Sequence, residues 1–121
     1  MKAVKREDVP VAIEGDGVEL RMQEIGGNLT VAFVHVPKGA DFRPAMAGLP
    51  GDMCQCPHWG YMINGRIKMH TPDGEQVYEA GDAVYWAPGH APEALEDSDY
   101  VDFSPTQEFN EVIDHIKSQG G

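Results

Sequence analysis

The chain has 121 residues with 20 acidic and 9 basic side chains, a net charge of −11. That excludes the basic surface that nucleic acid or an anionic membrane requires. A hydrophobic content of 41% fits one globular domain, long enough to bury roughly two-thirds of its unfolded surface.

No apolar run approaches the roughly 18 residues of a membrane span, and the opening segment, residues 1–8, lacks a signal-peptide core. A cytoplasmic location is therefore expected. Strand signals follow. Val18-Glu19-Leu20-Arg21-Met22 alternates apolar and polar, as a half-buried strand does. Gly26-Gly27-Asn28 reads as a turn, and Leu29 to Val36 is a β-branched run ended by Pro37-Lys38-Gly39. Residues 41–51, with two prolines and two glycines, predict a loop over one mouth of a barrel.

The next predicted strand runs from Cys54 to His58, and another covers Tyr61 to His70. Thr71-Pro72-Asp73-Gly74 is a turn, because proline fixes φ early and glycine accepts the left-handed conformation. Gln76 to Glu79 returns, and Gly81-Asp82 turns into Ala83 to Ala87. The last strands are His90 to Leu95 and Tyr100 to Phe103.

A helix over about 105–118 closes the chain. Ser104-Pro105-Thr106-Gln107 has the form of a capping box with Ser104 at the N-cap. Phe109, Val112, Ile113 and Ile116 form one apolar stripe behind it. Eight or more short strands and one helix predict a single all-β domain, a barrel or jelly roll of about residues 9–103 plus the helix.

Cys54, Cys56 and His58 stand at i, i+2 and i+4, one face of a strand. Two cysteines so spaced, about 7 Å apart at Cα, are poor disulfide partners. Thiolate and imidazole suit zinc or copper(I) rather than magnesium or calcium. The ends of the triplet lie about 13 Å apart on an ideal strand, so joint ligation needs a bend, which Pro57 or a bulge can supply. The bland reading is two buried small residues and a core histidine. His90, after Pro88-Gly89, is the fourth candidate. Asp52 reads first as a turn cap, His35 as a strand residue, and His70 and His115 as surface residues. Glu93 falls on the opposite strand face from His90.

These residues resemble the cupin superfamily. Its first motif is glycine, five residues, His-x-His, three or four residues, Glu, six residues, Gly. Setting Gly65 on the last glycine puts His58 in the glutamate's place, with Asp52 and Cys54 on the two histidines. The second motif is glycine, five residues, Pro-x-Gly, two residues, His. It matches Gly81 to Gly89 with Ala87 in place of proline, and His90 lies two residues before the motif's histidine. Residues 54–103 also look like small bacterial cupins with Cys…Pro-His…Gly and Pro-Gly-His segments.

The resemblance implies a double-stranded β-helix and a divalent metal. The ligands would come from Cys54, Cys56, His58 and His90, with zinc ahead of iron because thiolate replaces the usual set. It leaves open a metal-dependent enzyme, a non-catalytic small-molecule binding or sensing module, and a metal-free epimerase-like protein. It also implies a homodimer, for which Val9-Pro10-Val11-Ala12-Ile13 is a plausible contact. The small-molecule ligand is not readable.

Overall fold

The computed structural model describes residues 1–120. Nine strands and one α-helix are found among them, besides three short 3-10 turns: β1 (Val11–Gly15), β2 (Val18–Gly26), β3 (Leu29–Val36), β4 (His58–Asn64), β5 (Arg66–Thr71), β6 (Gly74–Glu79), β7 (Ala83–Trp86), β8 (Ala91–Ala94), β9 (Ser98–Pro105) and α1 (Thr106–Gly120). No described helix is long and apolar enough to cross a membrane.

All pairings are antiparallel. A six-stranded sheet of order β1-β2-β3-β9-β4-β7 is accompanied by a three-stranded sheet β6-β5-β8. From β4 onward the chain steps between the sheets, and the strands wind into a jelly roll. Gly65 makes the step from β4 to β5 at φ +82°, with Asp97 and Ser98 packed against its bare α-carbon. Only glycine meets both demands.

The core lies inside the roll. Ala32, Val34 and Val36 of β3, Met62 of β4, Ile67 and Met69 of β5 and Trp86 of β7 are buried there. Phe109, Val112 and Ile113 of the predicted stripe close it from the helix side.

The predicted strand over Cys54–His58 is not one strand. Cys54 makes an isolated bridge to His90, the chain leaves strand geometry at residues 55–57, and β4 begins at His58. Pro57 has no N–H for a ladder, which breaks the run. The helix also starts later than predicted. Ser104 and Pro105 belong to β9, where they pair with Thr30 and Leu29 of β3, and Thr106 opens the helix. Ser104 is fully buried and spends its hydroxyl inside the barrel rather than on a helix cap. His70, expected at the surface, is buried on β5 between Glu75 and Glu93.

Candidate metal centre

Cys54 and His90 are joined by backbone hydrogen bonds. The Cys54 N–H donates to the His90 carbonyl at 2.8 Å, and the Gly89 N–H donates to the Cys54 carbonyl at 2.8 Å. This clamp sets the loop carrying Cys54 against the Pro88-Gly89-His90 turn. His58 enters from the first, inward position of β4. The result is that one ligand atom from each of Cys54, His58 and His90 lies within 4.8 Å of the others, all three residues being buried.

The break at Pro57 thus achieves what a straight strand forbids: residues four apart meet. Cys54 Sγ is 3.6 Å from His58 Nε2. A tetrahedral site with metal–sulfur and metal–nitrogen bonds of about 2.3 and 2.05 Å has an S···N edge of about 3.6 Å. The donor set therefore fits a metal in chemistry, and its Cys54–His58 edge fits in spacing.

The histidine tautomers fit as well. His90 Nδ1 lies 2.6 Å from the Ala87 carbonyl, which only accepts, so Nδ1 carries the proton and Nε2 is left as a lone pair. His58 Nδ1 lies 2.6 Å from the Ser104 hydroxyl, leaving its Nε2 toward Cys54. Burial, reinforced by His90, holds His58 down to about 3, and burial also lowers His90. Both imidazoles are neutral at pH 7, as ligation requires. Burial pushes the Cys54 thiol up to about 11, so a metal would have to displace its proton.

The other candidates lie elsewhere. Cys56 is buried but stands outside the cluster, its Sγ 3.4 Å from the Pro57 carbonyl, and burial raises its thiol strongly. Asp52 is exposed, and its carboxylate accepts from the Gly48 N–H at 3.0 Å, a turn cap. His35 pairs with Asp99 at 2.8 Å on the outside of the large sheet. Glu93 faces His70 at 2.8 Å. His115 donates from Nε2 to the Ala47 carbonyl at 2.7 Å, tying α1 to the loop after β3.

A cavity of about 60 Å3 adjoins the three ligand atoms. Its wall is aliphatic and aromatic, with Phe42 and Met46 from the loop and Phe109 and Ile113 from α1. Asp102 is the one acid on that wall. It was not singled out from sequence, although it shares strand parity with buried Tyr100, and an acid at an inward strand position is a readable anomaly. Burial raises its carboxyl to about 7, against the hydrogen bond from Ser104, which lowers it.

No family model and no curated protein matches the sequence. Solved structures do match. An RmlC-like cupin from Shewanella frigidimarina aligns at 18% identity over 88% of this chain and 93% of its own, with a TM-score of 0.64. KdgF from a Halomonas species aligns at 24% identity over 84% and 90%, with a TM-score of 0.60. The chain has the cupin fold. A third cupin-type match is HppE in its FeII form, at 14% identity over 86% of this chain and 60% of its own, with a TM-score of 0.62. In cupin terms, Cys54 and His58 hold motif-one positions in a shared cluster, whereas Asp52, on the remaining one, stays at the surface.

Proposed function

We propose that this small cupin holds one divalent metal, zinc ahead of iron, through Cys54, His58 and His90. It uses that metal on a small, largely apolar molecule in the adjoining cavity. The observation that carries this reading is the convergence of one thiol and two bare imidazole Nε2 atoms, with Cys54 Sγ and His58 Nε2 at a tetrahedral edge length. Three protein ligands are the number that catalytic zinc sites use, leaving a position for water or substrate. A bound divalent metal would supply a Lewis acid, or a water of lowered pKa. Around it, Cys54 gives up its thiol proton, His58 and His90 stay neutral, and the apolar wall excludes bulk water. The free thiols of Cys54 and Cys56 suit a reducing, cytoplasmic setting.

Cobalt substitution tests the open position. The absorption bands of the cobalt-loaded protein should shift when azide is added. Unchanged bands would mean a closed site, and the alternative of a non-catalytic binding or sensing module would stand. That alternative is favoured by one feature: beyond the three ligands, the cavity wall offers Asp102 as its one acid and no lysine or arginine.

We further propose that the protein is a homodimer, through a different surface from the one expected. Val9, in the expected contact, is buried within its own chain. On the outer face of the large sheet, by contrast, Tyr85, Trp59 and Phe103 form one cross-strand row, and Ala83, Tyr61, Val101 and Phe33 the next, which continues to Arg21 on β2. The part of these rows on β7, β4 and β9 contains no charge, and two copies at −11 meet with least repulsion across such a neutral face.

A further inference from the structure

We propose that the cavity beside Cys54, His58 and His90 takes a small uncharged oxygen compound, and that Trp86 selects it by donating its indole N–H to a carbonyl or hydroxyl oxygen of the bound molecule. The inference rests on the reading of this cavity as the place where a small molecule binds.

Trp86 is the last residue of β7, where it pairs with His58 of β4. Its ring stands edge-on to the His58 imidazole, with centroids 6.5 Å apart. The side chain is 3% exposed and lines the cavity, yet its Nε1 is buried without a hydrogen-bond partner among the described residues. Buried indoles ordinarily find an acceptor, because a donor taken out of water and left unpaired is destabilising. Phenylalanine would fill an apolar wall without that penalty.

Among the described residues one other buried side-chain atom of this kind stands unpaired, Asp102 Oδ1, and it belongs to the same wall. Polar groups left open at one apolar cavity are what a ligand completes. The indole is the selective one of the two. It donates only and does not titrate, so its complement is an acceptor: the oxygen of a ketone, an aldehyde or an alcohol. Edge-on packing by Tyr78 at 5.8 Å and Tyr100 at 5.2 Å holds the ring, so the donor is set before a ligand arrives.

Charge and size narrow the class. The wall has no lysine or arginine and one acid, and a desolvated anion without a partner is strongly disfavoured. A thiolate ligand would offset half the charge of a divalent ion. At about 10–15 Å3 for each water-sized occupant, the cavity of about 60 Å3 takes roughly four to six non-hydrogen atoms.

Proton–nitrogen NMR of the Trp59→Phe protein tests this, since it leaves Trp86 as the one indole in a chain of two tryptophans. Three probes of like size are titrated into metal-free and zinc-supplemented protein: cyclopentanone, methylenecyclopentane and isobutyrate. Cyclopentanone should move the Trp86 indole proton downfield. Isobutyrate should bind the metal-free protein at least about tenfold more weakly than the ketone. In Trp86→Phe, the ratio of ketone to hydrocarbon affinity should fall about tenfold.

An indole resonance that stays in place as the ketone saturates overturns the inference, as does an unchanged affinity ratio or a ketone that does not bind. Isobutyrate binding as tightly as the ketone overturns the uncharged class. Should Trp86→Phe fail to fold, the indole shift and the isobutyrate comparison decide. Protein that takes up neither zinc nor iron but shows the indole shift sinks the metal reading and leaves this inference standing. Zinc uptake with no indole response does the reverse.

Discussion

The two faces of β4 divide the molecule's chemistry. His58, Gly60 and Met62 point inward, where His58 meets Cys54 and His90, Gly60 makes room for Asp102, and Met62 is fully buried. Trp59, Tyr61 and Ile63 point outward, each about half exposed at 48, 48 and 47%. Trp59 stacks on Tyr85 of β7 with ring centroids 5.2 Å apart. Strand alternation alone makes this division. The inner face is constrained by neighbours on every side, whereas the outer face is free to meet another surface.

The comparison can be broken most severely from inside. His58→Ala should abolish metal binding, whereas Trp59→Ala, one residue on, should leave it intact; metal content of both purified proteins checks the pair. Phe109→Ala comes next. The ring is buried and packs edge-on to His58 at 5.6 Å, so the loss should be about 3–5 kcal/mol in denaturant unfolding. Gly60→Ala should cost about 1–3 kcal/mol by overpacking against β9, measured the same way.

A pH series sharpens the inner side. Burial holds the Cys54 thiol at about 11 and His58 at about 3, so between pH 7 and 9 binding should release one proton, from sulfur. Raising pH favours the thiolate, and zinc affinity should therefore climb about tenfold per unit. A slope of two would mean that a second protonated ligand, such as Cys56, takes part. The smallest effect on stability belongs outside. Trp59→Ser should cost about 0.5–1.5 kcal/mol of unfolding free energy through the lost stack on Tyr85, and should turn a dimer into a monomer in light scattering.

Much of this fold was legible. The alternation at 18–22, the β-branched run from Leu29 to Val36 and the Thr71–Gly74 turn each appear where local chemistry demands them. So does the meeting of Cys54, His58 and His90, once Pro57 is allowed to break the strand. Two things were not legible, and both are tertiary. Ser104 has the local form of a helix cap, but its pairing with Thr30 draws it into β9 and turns its hydroxyl to His58. Cys56 sits two residues from Cys54 and looks equivalent, yet the same break at Pro57 that brings His58 in leaves Cys56 facing the Pro57 carbonyl. Spacing describes a regular strand, and here the site exists because the strand is interrupted.

The most direct measurement is elemental analysis of protein prepared without a metal-affinity tag or chelator, beside Cys54→Ser, Cys56→Ser, His58→Ala and His90→Ala. The account predicts one equivalent of zinc per native chain, retained by Cys56→Ser and lost or sharply reduced in the other three. Native protein that is folded and metal-free, and that takes up neither zinc nor iron when supplied, would contradict it.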